Sequence, residues 1–159
     1  MSLDMREYRR TIGLFATGVT VIVAEAEGSV HGMTANAVSS LSLDPLLLLV
    51  CVDKRAKMLS YLEKCKYFTV NILSEDQEAV SAYFAGRAGA NDPEPGFVSW
   101  RGGLKLEGTI ATLGCEPYER LEGGDHMIVL GKVEAIEQAP PPRRPLLYFE
   151  GGYKRIAID

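Results

Sequence analysis

The eight residues 45–52, "PLLLLVCV", constrain the fold of this chain more than any other segment. They form its most apolar run, yet they are far too few to cross a bilayer, which takes about 20 apolar residues. Bounded by Pro45 and Asp53, the run has the length of a strand. Directly before it lies "HGMTANAVSSLSLDP", residues 31–45, in which one small hydroxyl or amide side chain follows another. The chain therefore sets a series of hydrogen-bonding groups beside its most hydrophobic strand. Such a series can serve a polar ligand or fill a solvated loop, and composition alone does not decide between them.

At 159 residues the chain suits one domain, taken here as residues 1–159, large enough to bury roughly 70% of the surface its unfolded form exposes. An apolar fraction of 47% and a charged fraction of 24% are ordinary for a globular protein. Seventeen Lys and Arg against twenty-one Asp and Glu leave a formal charge of -4, and no basic cluster alternates with aromatics, which argues against nucleic acid as a partner. The start, "MSLDMREYRR", is too charged for a secretory signal. A soluble, cytoplasmic protein is expected. Cys51, Cys65 and Cys115 are odd in number and lack CxxC spacing, so reduced thiols are expected rather than a disulfide framework or a zinc site. Cys51, inside the apolar run, is expected to be buried.

Met5, Tyr8, Ile12 and Phe15 recur at helical spacing and predict an amphipathic N-terminal helix ending near Gly18. "VTVIVAEAE" reads as a strand that turns at Gly28 into a second one carrying the polar stretch, a hairpin. "DKRAKMLSYLEK" predicts a short helix. In "YFTVNIL", Phe68, Val70 and Ile72 share one face while Tyr67, Thr69 and Asn71 share the other, which predicts a strand with one buried face. Ser74 and Gln77 form a capping box for a helix that Gly86 stops. Residues 87–103 predict an irregular surface excursion, long enough to cover a site. Two long strands joined through "EGGD" follow between Leu104 and Glu137. "APPPRRP" then separates them from a last segment, "LLYFEGGYKRI".

Many strands with few short helices point to a closed or partly closed antiparallel barrel. No GxGxxG follows a strand, and there is no P-loop, HExxH or GxSxG, which sets aside the usual dinucleotide fold, NTP hydrolysis, zinc peptidase chemistry and the serine hydrolase elbow. Thr34, Asn36, Ser39, Ser40 and Ser42 could present hydroxyls and an amide to a heteroaromatic ring with imide edges and a phosphate. Lys54 or Lys57, just past the apolar strand, could supply a cation for that phosphate.

Four stretches, "GMTANAVSSLSLDPLLLLVCVDKRAKM", "YFTVNILSEDQEAVSAYFAG", "GDHMIVLGKVEAI" and "PLLYFEGGYKRI", run in order over most of the chain. Together they resemble the flavin reductase family of the FMN-binding split barrel, the short-chain reductases of two-component monooxygenases. The resemblance implies a mainly β fold, a six-stranded antiparallel Greek-key split barrel with flanking short helices, and a homodimer with flavin near the subunit interface. It implies reduction of FMN, FAD or riboflavin by NADH or NADPH, with reduced flavin passed to a partner monooxygenase.

By position, the resemblance puts Thr34, Ala35 and Asn36 along the isoalloxazine and Ser39 and Ser40 near the ribityl chain and phosphate. Cys51, Val52 and Asp53 end the strand beside the ring, and Lys54 meets the phosphate. Where relatives often carry Ser and Thr after that lysine, this chain has Ala56 and Met58, which shifts the phosphate grip toward Lys54 and Lys57. A histidine at a turn edge, as in "GGDH", is more often a plain surface residue than a functional one, and the resemblance reverses that preference. The resemblance assigns His126 to the nicotinamide of the pyridine nucleotide, where it orients and polarises. Phe84 and Arg87 approach the flavin or the nucleotide, and Tyr148 and Tyr153 close the site. For Phe84 and Tyr148 core packing is the favoured role, and Arg87 could equally be a solvated charge. His31 is read as structural or exposed. Beside the dissociable reductase stand two other readings: a tightly bound flavoprotein of the flavoredoxin kind without free-flavin turnover, and a barrel that uses no redox partner.

Overall fold

The computed structural model describes residues 2–158. Helix α1 (Met5–Ile12) is opened by Asp4, whose carboxylate accepts from the Arg6 N–H at 3.0 Å, a standard N-cap arrangement. It stops at Ile12, short of the expected Gly18, and none of its residues is buried. Strand β1 (Thr17–Gly18) leads into β2 (Thr20–Ala26), which pairs with β3 (Ser29–Ala35) as the predicted hairpin. The turn places Glu27 at φ 53° and Gly28 at φ 76°, the double positive φ of a type I′ turn.

Strand β4 (Val38–Leu43) carries the serine series and pairs with β5 (Leu46–Asp53), the apolar run. Alternation along β5 buries Leu48, Val50 and Val52 in the core and turns Leu47, Leu49, Cys51 and Asp53 to the opposite face. Helix α2 (Lys57–Lys64) packs Met58 and Leu62 into that core. Strand β6 (Phe68–Ile72) follows, then the capping box at Ser74 with a 3₁₀ turn (Glu75–Gln77) and α3 (Glu78–Phe84). A short hairpin, β7 (Phe97–Trp100) and β8 (Gly103–Leu106), precedes the long antiparallel pair β9 (Ala111–Gly123) and β10 (His126–Gln138). β11 (Leu146–Phe149) and β12 (Gly152–Arg155) end the chain.

The main sheet is antiparallel throughout, in the order β3-β2-β6-β9-β10-β5-β4. It has seven strands rather than the six implied by the family resemblance, and its edges β3 and β4 are not bonded to each other. A second sheet, β1-β11-β12, brings the two ends of the chain together and pairs Thr17 with Tyr148.

Two sequence expectations change here. The predicted excursion over 87–103 holds β7 and the turn into β8 in its second half, and the β7–β8 hairpin, which runs on to Leu106, covers the polar face of β6. As a result β6 is buried on both faces: Thr69 and Asn71 are fully buried beside Phe68 and Val70. Their polar atoms are satisfied inside the core. Thr69 Oγ1 donates to Leu104 O at 2.6 Å, and Asn71 Nδ2 donates to Val21 O and Thr69 Oγ1, both at 3.0 Å. Asn71 Oδ1 accepts from Leu106 N at 3.1 Å and from Thr112 Oγ1 at 3.3 Å. Burial of such groups is tolerated because every bond lost to water is replaced.

Candidate functional site

A cleft of about 810 Å³ opens where α1, the 36–39 segment, β5, the start of β10 and β11 converge. Several local bonds shape it. Cys51 N donates to Ala37 O at 2.9 Å, holding the chain after β3 against β5, and Glu150 N donates to Gly13 O at 3.0 Å, drawing the end of α1 over the rim. Asn36, Ser39, Cys51 and His126 all line this cleft. Cys51 is half-buried rather than buried, because the strand alternation that hides Val50 and Val52 turns its thiol toward the opening.

A smaller pocket of about 180 Å³ adjoins the cleft, with Asn36 and Tyr148 common to both. Thr34, Ala35, Arg87 and Tyr153 line it, together with Ser81. Thr34 does not offer its hydroxyl freely: Oγ1 donates to Ser81 O at 2.6 Å and so ties β3 to α3. Tyr153 OH lies 2.6 Å from Ser81 Oγ and accepts from Arg87 Nη2 at 2.6 Å, with the guanidinium 5.7 Å from the ring centre. Nine of the residues singled out from sequence, Tyr148 included, thus meet around two contiguous cavities.

His126 is set by register. It pairs with Asp53 of β5, and its Nδ1 lies 2.7 Å from Asp125 Oδ1. Hydrogen bonding to His126, reinforced by its charge, lowers the Asp125 pKa and keeps that carboxylate ionised. With Nδ1 as donor to Asp125, Nε2 is the ring nitrogen available to a ligand.

Other expected residues lie elsewhere. Ser40 lines a separate apolar groove along β4 and β5. The Val52 side chain is in the core, fully buried, since it occupies the inward phase of β5. Asp53 is engaged by Arg55 through both carboxylate oxygens, and these hydrogen bonds hold it well below the usual carboxylate range. Lys54 is bonded to Glu122. Lys57 sits over the Tyr61 ring, 5.9 Å from its centre, on the side of the sheet where Tyr61 also meets His31. Neither lysine lines the cleft or the pocket. Phe84 packs against Phe97, ring centres 5.8 Å apart, and lies so close over Gly32 that a Cβ there would be 2.5 Å from its Cε1.

Several lining residues carried no recognised signal in the sequence. Tyr8, Ile12 and Phe15 read as a packing stripe, yet they face the cleft while remaining more than half exposed. Thr17 also lines it, and its Oγ1 is a buried hydroxyl with no partner among the described residues. Ser81 was hidden inside an ordinary helical pattern.

The arrangement defines a class: an antiparallel sheet that presents hydroxyls, an amide, a thiol and a carboxylate-bound histidine around a cleft wide enough for a planar polar ligand. Residues 12–157 match the flavin reductase like domain, and the chain belongs to that family. Among similar proteins, the reductase component of 4-hydroxyphenylacetate 3-monooxygenase from Thermus thermophilus is 43% identical over 94% of this chain and 95% of its own. An NADH-dependent flavin reductase from a Rhodococcus species is 38% identical over 94% of this chain and 85% of its own. The solved structure of flavin reductase PheA2 in its native state superposes with a TM-score of 0.92 at 40% identity, covering 98% of this chain and all of that one.

Proposed function

We propose that this protein is an NAD(P)H:flavin oxidoreductase that takes FMN, FAD or riboflavin as acceptor and supplies reduced flavin to a partner monooxygenase. The observation that carries the reading is the pair of contiguous cavities in which Asn36, Ser39, Cys51 and His126 converge. The residues fit a flavin. The orphaned Thr17 hydroxyl and the Asn36 amide supply hydrogen-bonding partners for the carbonyl and imide edges of an isoalloxazine, and the apolar side chains Leu49, Ile12 and Tyr8 can cover its faces. A flavin bound there supplies a hydride acceptor for a nicotinamide.

The chain's own part is alignment and exclusion of water. His126 Nε2, fixed by the Nδ1 bond to Asp125, is set to orient the nicotinamide nucleotide. Holding two rings in reacting geometry is worth several kcal/mol in favourable cases. Turnover of free flavin is favoured over a permanently bound electron carrier by the relatives, which carry reductase names.

A homodimer is part of the same reading. Tyr8, Ile12 and Phe15 on the cleft rim are 65%, 53% and 74% exposed in the single chain, an apolar surface that a second copy would cover. The seven-stranded sheet is read as the curled, open form of the family's six-stranded Greek-key barrel, within one domain. No helix among the described residues is long and apolar enough to cross a membrane. A cytoplasmic setting suits the three free cysteines.

The test crosses NADH and NADPH with FMN, FAD and riboflavin and follows nucleotide oxidation. Oxidation that depends on added flavin supports the proposal; no consumption of either nucleotide at any flavin concentration refutes it.

A further inference from the structure

Resting on the flavin reductase reading, we propose that Arg87 is the phosphate-binding cation of this site and that Ser81 and Tyr153 are positioning residues that aim it. FMN and both nicotinamide nucleotides bring phosphate to a reductase, and a cation along the cleft would strengthen its binding through charge-assisted hydrogen bonds. Lys54 is ion-paired with Glu122 away from the cleft, and Lys57 is turned to Tyr61. Arg9 lines the cleft from α1, but no hydrogen bond of its side chain fixes it there. Arg87 differs from all three. It lines the small pocket, makes no ion pair among the described residues, and is held by a defined bond to Tyr153 OH.

Guanidinium carries five N–H donors. The Tyr153 hydroxyl takes one, and the remainder form the planar fork that matches phosphate oxygens. Asn36 and Tyr148 stand beside it, where the small pocket joins the main cleft.

The orientation of Arg87 is inherited from the interior. Ser81 is fully buried, and its hydroxyl meets Tyr153 OH at 2.6 Å while its carbonyl accepts from Thr34. Tyr153 OH accepts from Arg87, so the chain of bonds runs from β3 through α3 to β12 and out to the guanidinium. Without the Ser81 hydroxyl, the tyrosine loses the bond that fixes its tip, and the arginine loses the surface on which it rests.

The test is equilibrium binding together with turnover. Calorimetric Kd values are measured for FMN and riboflavin, and for NADH and 1-benzyl-1,4-dihydronicotinamide, which has no phosphate; KM values are measured for the same ligands. The proteins are the wild type, Arg87→Gln, Tyr153→Phe and Ser81→Ala. Arg87→Gln is expected to weaken the phosphate-bearing member of at least one pair by roughly 10- to 100-fold, as for a charge-assisted hydrogen bond, and to leave the phosphate-free member within about twofold. Loss confined to FMN assigns the flavin phosphate; loss confined to NADH assigns the pyrophosphate of the nucleotide. Tyr153→Phe and Ser81→Ala are expected to shift the same ratio in the same direction. A variant combining Ser81→Ala with Tyr153→Phe should lose no more than the worse of the two single ones, because both act on one chain of bonds.

Equal weakening of phosphate-bearing and phosphate-free ligands, or an unmoved ratio, would overturn the assignment. A ratio moved by Arg87→Gln but by neither Ser81→Ala nor Tyr153→Phe would overturn the positioning role. Tyr153→Phe keeps the ring and its packing, so it decides the matter even if Ser81→Ala does not fold. A wild-type protein that binds FMN more tightly than riboflavin through Arg87 yet never turns over would sink the reductase reading and leave the phosphate site standing.

Discussion

Replacing Gly32 by alanine tests the packing that places α3 against the site. Gly32 sits in β3 at a regular extended position, and the helix residue Phe84 covers it. An added Cβ would stand 2.5 Å from Phe84 Cε1 and 2.6 Å from Cδ1, about 1 Å inside ordinary carbon contact. Phe84 cannot simply swing away, because it is wedged between Tyr83 and Phe97, ring centres 5.1 and 5.8 Å distant. The strain therefore passes to α3 and to the Thr34–Ser81 bond two residues further along β3. Overpacking of this kind costs about 1–3 kcal/mol, which for a chain of this size lowers Tm by roughly 2–12 °C. Calorimetric unfolding of Gly32→Ala, Phe84→Leu and the double variant measures it. The smaller leucine should restore much of the loss, so the double variant is expected to be more stable than the sum of the single effects predicts. A neutral Gly32→Ala, or strict additivity in the cycle, would refute the claim that Phe84 is a packing residue pressed on β3.

Four further outcomes are expected. Asn71→Ala should cost about 3–5 kcal/mol in urea unfolding, since it leaves the buried Leu106 N–H without its acceptor and opens a void in the core; a loss below about 1 kcal/mol would contradict the bonding described. His126→Ala should raise KM for the nicotinamide nucleotide while leaving flavin affinity nearly unchanged, and equal loss of both would remove it from the nucleotide. Cys51 should be the thiol that reacts readily with a disulfide reagent in the native protein and should be shielded by FMN, because Cys115 is buried with its pKa pushed up to about 12 and burial also raises that of Cys65; labelling of Cys51 at the same rate with and without FMN would place the ligand elsewhere. Burial, aided by Lys57, lowers the His31 pKa below its usual 6.5, so the unfolded chain takes up this proton first and stability falls as pH drops through about 6.5. His31→Gln should flatten the Tm profile in that window, while Asp53 and Asp125, whose pKa values lie below the ordinary 3.8, act only in more acid solution.

How far the sequence could be read depended on whether a residue's partner was local. The β2–β3 turn at Glu27 and Gly28 and the capping box at Ser74 are set by neighbours a few positions away, and both were legible. The strand alternation of β5 was legible too, but its consequence was not: the same phase that hides Val52 turns Cys51 outward, and only the pairing with β10 and the contact with Ala37 show what lies there. Thr69 and Asn71 read as a solvated face because nothing in "YFTVNIL" announces that residues 97–106 fold back over them.

The cations make the same point about the site. Lys54 and Lys57 follow the apolar strand directly, so proximity in sequence favours them as phosphate ligands. Yet position along the chain does not determine free charge. Glu122 reaches Lys54 from across the β9–β10 turn, and helical phase carries Lys57 to Tyr61. Arg87 lies 33 residues beyond Lys54 in the sequence, but the Thr34–Ser81 bond draws its helix onto the strand that borders the cleft. A buried serine with no motif around it thus accounts for the presence of an unpaired guanidinium where a ligand would meet it. That connection arises only when β3, α3 and β12 are assembled.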